Sequence, residues 1–199
     1  MQGRQLTSTE VDATRRRVVA VATALLEEEG REACTLRRVA ALAGMSRSTP
    51  YTYFSDKEAL IDAVRAAALH TLSDHCEAAV AAASDLAGRV SALGRAYLDF
   101  AFTRAPLYDL IFEAYNAGPE HQVAAARYRA IAAGPLAEAR TAGRSTLPPE
   151  RLGTVLWAAT HGLIALRRAG KVDELTFETL LADTREVLAF GFVPRTAPE

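Results

Sequence analysis

Between Thr35 and Lys57 the chain reads TLRRVAALAGMSRSTPYTYFSDK, and this stretch leaves the backbone few alternatives. Leu36, Val39 and Ala40 share one face of a short helix, with Arg37 and Arg38 turned outward. Thr35 is a good N-cap for it. Ala43-Gly44-Met45 is too short for anything but a tight corner, and Gly44 stands where the helix must stop and the chain take positive φ. Ser46 then offers a second N-cap, for a helix barely two turns long fronted by Arg47, Ser48 and Thr49. Two helices crossing closely at a glycine corner form a helix-turn-helix, whose second helix fits a DNA major groove. Pro50 complicates that second helix, because it lacks the N–H that would bond the Ser46 carbonyl. A mid-helix proline costs ~3 kcal/mol, a cost that so short a segment escapes by forming a 3₁₀ turn.

The next residues raise the specificity. Tyr51, Tyr53 and Phe54 lead into Ser55-Asp56-Lys57-Glu58, where Ser55 and Glu58 have the spacing of a capping box. With Gly30, Thr35-Leu36, Val39-Ala40, Ala43-Gly44, Ser46, Tyr51, Tyr53-Phe54 and Lys57-Glu58-Ala59-Leu60, the segment from Arg16 to Val64 resembles the DNA-binding domain of TetR-family transcriptional regulators. At the recognition helix Arg47 suits a bidentate contact with guanine, worth ~1–3 kcal/mol of discrimination. Ser48 and Thr49 reach base edges or a phosphate, and Thr49 suits the thymine methyl. The resemblance implies that Tyr51 and Tyr53 lie near the DNA backbone while Phe54 packs inside. Lys57 and Thr35, each at a helix start, are candidates for phosphate contact. Arg37 and Lys57 also read as a solvated face, and Tyr51 as core.

Composition supplies the rest of the frame. Lys+Arg number 23 and Asp+Glu 24, a net charge of −1, so bulk charge gives no pull towards nucleic acid or anionic membrane and any DNA affinity must be local. Half of the residues are apolar and β-branched runs are few, which favours an all-α fold. Cys34 and Cys76 form no disulfide framework and read as buried small residues, with a redox pair as the alternative. No apolar run resembles a signal peptide or is long enough to span a bilayer, so a cytoplasmic protein without membrane partners is expected.

In chain order, Ser8 or Thr9 caps a first helix to Glu29. A long fourth helix runs from Ser55 to about Ala83, followed by helices over Leu86–Arg104 and from Pro106. A seventh, about Glu120–Ala142, should kink or break at Gly134-Pro135. Pro149–Ala169 and Phe177–Phe190 complete about nine helices. The expected architecture is thus a three-helix DNA-binding domain, residues 1–60, joined by the fourth helix to a ligand-binding and dimerisation bundle, residues 61–199.

The bundle is rich in aromatics. Tyr97, Phe100, Phe102, Tyr108, Phe112, Tyr115, Tyr128 and Trp157, with Arg104, Asn116, His121, Thr160 and His161 as polar groups, are candidates for an effector pocket or simply for core. Trp157, His161 and Gly162, spaced W-x-x-x-H-G, resemble the ligand domain of one TetR subgroup. In the last two helices Ala158, Ala159 and Gly162 permit close approach, and Leu156, Leu163, Leu180, Leu181, Thr184 and Leu188 add contact surface. The resemblance implies a four-helix homodimer interface there, placing two recognition helices about 34–36 Å apart. His70 and His75 are too few for a metal site, no catalytic constellation is present, and neither cofactor nor enzymatic activity is expected. The sequence reads as a repressor that binds a palindromic operator as a homodimer and is released by a small apolar or aromatic effector. The alternative is a helical ligand-binding or protein-interaction module whose helix-turn-helix no longer reads DNA.

Overall fold

The computed structural model describes residues 7–113 and 118–190, and it is helical throughout the regular parts of these residues. Its eight α-helices are α1 (Ser8–Glu29), α2 (Leu36–Leu42), α3 (Lys57–Ala81), α4 (Leu86–Thr103), α5 (Ala105–Phe112), α6 (Pro119–Thr141), α7 (Pro149–Arg168) and α8 (Glu174–Phe190). Short 3₁₀ turns occupy Arg31–Ala33 and Thr49–Thr52. Among the described residues the α-helices number eight where about nine were expected, because the recognition segment is one of those 3₁₀ turns.

Local chemistry accounts for most of the boundaries. The α1 cap is Thr7, one residue earlier than expected; its hydroxyl accepts from the Glu10 N–H, and the Glu10 carboxylate accepts from the Thr7 N–H. At α3 the capping box expected from Ser55 and Glu58 is replaced by Asp56, whose carboxylate accepts from the Ala59 N–H at 2.8 Å and from the Ser55 hydroxyl at 3.0 Å. A carboxylate is the better acceptor at a helix's positive end, and these hydrogen bonds hold Asp56 below its ordinary pKa.

The chain forms two compact units, residues 1–131 and 132–199. In the first, α3 is the central helix and packs against α1, α4 and α5. Leu60, Ile61, Val64, Leu69 and Leu72 of α3 are buried, as are Val18, Ala22, Leu25 and Leu26 of α1 and Ala96, Tyr97, Phe100 and Ala101 of α4. The buried faces recur at three- and four-residue steps, the mark of amphipathic helices. In the second unit α7 and α8 pack against each other, and Leu136, Leu163, Ile164, Phe177 and Leu181 are buried.

The expected break at Gly134-Pro135 does not occur, since α6 continues through Pro135 to Thr141. Proline removes one N–H from the helical ladder, and a long helix retains the bonds on either side. The division between the units falls one turn before Pro135, where the residue that would have accepted its bond, Ile131, ends the first unit.

Candidate nucleic-acid interface

The corner that presents the recognition segment is built from backbone bonds. Ala43 caps α2, Gly44 takes φ +63°, the Gly44 N–H donates to the Ala41 carbonyl at 3.1 Å, and the Met45 N–H donates to the Ala40 carbonyl at 2.9 Å. Those two bonds are the paired closure of a Schellman motif, which only a left-handed residue such as glycine makes without strain. The helix α1 fixes the corner from behind. Arg17 donates to the Ala43 carbonyl at 2.6 Å, and the Arg15 guanidinium lies 5.0 Å from the centre of the buried Phe54 ring. Neither arginine was among the expected functional residues. The run Arg15-Arg16-Arg17 on a bracing helix was the visible sign, but nothing in it indicates which carbonyl or ring each residue meets.

From Ser46 the chain turns outward. The Ser46 hydroxyl lies 2.8 Å from that of Thr49 and 3.1 Å from that of Ser48, and the Thr49 N–H donates to the Ser46 carbonyl. Pro50 is buried and sits within the 3₁₀ turn, where it still accepts from the Tyr53 and Phe54 N–H groups. The proline is thus accommodated by a tighter turn with no α-helical bond to lose. Arg37, Ser46, Arg47, Ser48 and Tyr51 are exposed, and Thr49 and Tyr53 are half-buried. Tyr51, at 58% exposure, is not core.

Thr35 accepts from the Arg38 N–H and so caps α2. Lys57 reaches Glu32 at 3.2 Å, but Glu32 is almost wholly exposed, and such a surface pair is weak enough to exchange for phosphate.

The aromatic candidates separate into two groups. Tyr97, Tyr108, Phe112 and Tyr128 pack ring to ring in the first unit, with centroids 4.9 Å apart for Tyr108–Phe112 and 5.7 Å for Tyr97–Tyr108. The Tyr97 and Tyr108 hydroxyls share a hydrogen bond of 3.1 Å. Phe100 is buried and Phe102 exposed. Burial pushes the Tyr128 hydroxyl pKa up, and it also raises the buried Cys76 thiol to about 12. Arg104, expected among the polar groups of a pocket, is engaged by Glu27, with one N–H···O contact at 2.8 Å and a second, shorter one. Tyr115 and Asn116 lie outside the described residues. In the second unit the Trp157 and His161 rings are 5.4 Å apart, and Trp157 is 41% exposed.

A cluster of charged residues surrounds the end of α5. Arg65, only 2% exposed, donates to the Leu110 carbonyl at 2.8 Å and to Glu113 at 3.0 Å. Glu113 also receives Arg31 at 2.5 Å, and Arg31 continues to Glu58 at 2.7 Å. The Glu58 bond and the Glu113 charge raise the Arg31 pKa despite the desolvation that opposes them. His121 is held below its usual pKa, first by burial and then by the nearby Arg65 charge.

Of the expected dimer residues, Leu163 and Leu181 are buried within the chain, and Leu156, Ala159, Leu180 and Thr184 are half-buried. The side chain of Leu188 lies outside the described residues. The exposed face of α7 is nonetheless apolar, carrying Val155, Ala158, Gly162, Ala165 and Leu166 at helical spacing.

Comparison with known proteins finds two domains. Residues 18–64 match the pattern described as bacterial regulatory proteins, tetR family, and residues 90–184 match the tetracyclin repressor-like C-terminal domain. The chain carries the N-terminal and C-terminal domains of the TetR family. TetR-family regulators are non-enzymatic DNA-binding proteins, so the two domains together support a DNA-binding regulator, and the chain is not an enzyme. No curated protein matches its sequence.

Among solved structures, the chain is similar to a protein of unknown function from Rhodococcus sp. RHA1, at 26% identity and TM-score 0.78, over 96% of this chain and 98% of that one. The FadR regulator of Bacillus subtilis in complex with stearoyl-CoA shares the fold at 14% identity and TM-score 0.69, over 89% and 99%. The TetR-family transcriptional regulator PfmR from Thermus thermophilus does so at 18% and 0.62, over 89% and 100%. Among the described residues no helix is long and apolar enough to cross a membrane.

Proposed function

We propose that this chain is a cytoplasmic, ligand-responsive repressor that binds a palindromic operator as a homodimer. The observation that carries the reading is the segment from Ser46 to Tyr53, with Ser46, Arg47, Ser48 and Tyr51 exposed, held outward by the Gly44 corner and by Arg17 within a TetR-family N-terminal domain. Residues 1–60 are assigned to DNA binding and residues 61–199 to effector binding and dimerisation. Arg47 contacts base edges, and Ser46, Ser48 and Thr49 add contacts to bases or phosphate. Tyr51, Tyr53, Arg37, Thr35 and Lys57 grip the backbone.

The homodimer forms through α7 and α8, and the exposed apolar face of α7 supports this pairing. The effector is a small apolar or aromatic molecule, and the W-x-x-x-H-G residues Trp157, His161 and Gly162 form part of its site. That a FadR structure of the same fold holds stearoyl-CoA supports a small-molecule effector for this chain as well. An effector that favours one setting of α3 over another changes the separation of the two recognition segments and so weakens operator binding.

Selection from a random DNA library tests the assignment, and an enriched palindrome is expected. In mobility shifts on that sequence Arg47→Ala relaxes base preference at one position in each half-site, by about 1–3 kcal/mol. Lys57→Ala weakens binding to all sequences alike and lowers the salt dependence. Failure to enrich any sequence favours the ligand-binding or interaction module instead.

A further inference from the structure

The first unit also holds a cavity away from the packed aromatics. It is a groove of about 780 Å³ between α1, α3 and the start of α6, within the range of small-molecule sites. Its walls are small and apolar, with Ala20 and Ala24 on α1 facing Ala66 and Ala67 on α3, and Val123 of α6, two-thirds exposed, at the rim.

Two ion pairs bound it along α1. Arg15 binds Glu120 at 2.6 Å, and Glu27 binds Arg104. From Arg15 to Glu27 the helix rises about 18 Å at 1.5 Å per residue. These crossings bound the groove lengthwise, which suits a small molecule and not a continuing peptide helix.

The charge left over is positive. Both acidic residues of the lining, Glu27 and Glu120, are neutralised by arginines. The remaining polar side chains with hydrogen to donate include Arg16 and His70, both exposed. Among the described residues the Arg16 guanidinium meets only the Asp12 carbonyl, at 3.4 Å, and His70 has no described partner. An apolar floor under an exposed guanidinium and imidazole selects an occupant that is apolar along its length and anionic at one end.

We propose that this groove binds a small amphipathic organic anion, its apolar body against the alanine walls and its carboxylate or equivalent at Arg16 and His70. Because α1 also supports the Gly44 corner through Arg17, an occupant that shifts α1 against α3 alters the presentation of Arg47. That second step rests on the regulator reading above, whereas the binding itself does not.

Fluorescence titration of the full chain with cis-parinarate, in the absence of DNA, tests the site, with its methyl ester as the uncharged control. The carboxylate should bind more tightly than the ester, by about tenfold or more for a charged hydrogen-bonded contact. Ala24→Trp, at an exposed position, fills the groove and should reduce the binding of both probes. Ala20→Phe gives an independent obstruction if the first variant melts early. Arg16→Ala combined with His70→Ala should remove the preference for the acid, bringing its affinity down to that of the ester. Equal affinity for acid and ester in the unaltered protein overturns the proposal. So does binding undiminished in folded Ala24→Trp and Ala20→Phe. Absence of operator binding by the unaltered protein, with probe binding intact, would count against the regulator reading and leave the groove standing.

Discussion

Tyr51 and Tyr97 are chemically identical and physically opposite. Tyr51 follows Pro50 in a 3₁₀ turn and is 58% exposed, whereas Tyr97 is 4% exposed and packs in a ring cluster with its hydroxyl bonded to Tyr108. The segment around Tyr51 has hydroxyls, a guanidinium and little core. Its conformation is fixed by a glycine corner and short-range backbone bonds. The cluster around Tyr97 depends on α4, α5 and α6 meeting, and its groups satisfy one another. The surface keeps its donors in exposed bonds that a partner can exchange, whereas the interior spends them on one another.

The largest expected effect lies on the interior side. Phe100→Ala removes a side chain with 1% exposure and should cost about 3–5 kcal/mol in urea denaturation. A smaller loss would mean that the aromatic region collapses easily and is closer to a pocket than to a core.

Glu113→Gln comes next. It removes one charged partner of the buried Arg65, which keeps the Leu110 carbonyl and Asp62 among its contacts, and a loss of about 2 kcal/mol is expected, below the full cost of a buried pair because Glu113 is partly exposed. The same melt on Arg31→Ala should show less, since that partner is nearer the solvent.

Alkaline pH should separate the regions further. The Cys76 thiol stands at about 12 in the folded chain against 9.0 when unperturbed. Above pH 9 the unfolded chain releases a proton that the folded chain keeps, so stability falls as pH rises between these values. Cys76→Ala should flatten that part of the stability profile.

The smallest stability effect belongs to Tyr51→Ala, within about 0.5 kcal/mol as at other exposed positions, while operator affinity in a mobility shift should drop. If both properties fell together, the contrast with Tyr97 would fail.

The recognition corner was almost fully legible from residues 35–57, because its determinants are local. Thr35 caps, Gly44 turns and Pro50 forces a 3₁₀ geometry, all within a few residues of the bonds they control. The misplaced caps at Thr7 and Asp56 were off by one position, which happens when neighbouring serine, threonine and aspartate all qualify. Three glutamates end α1, where acidic side chains oppose the helix dipole. In the fold two of them are occupied, Glu27 by Arg104 and Glu29 by Arg38, and the first of these partners lies far away in sequence.

The helical class, the order of the helices and the family of the DNA-binding segment were therefore contained in the sequence, since periodicity, caps and corners act over one or two turns. Which aromatics share a cluster, which arginines brace the corner and which acids they neutralise were decided only by the tertiary structure. Those contacts join residues up to about a hundred positions apart, as Arg15 and Glu120 do. Their partners are selected by how helices pack, and no local pattern of residues records that choice.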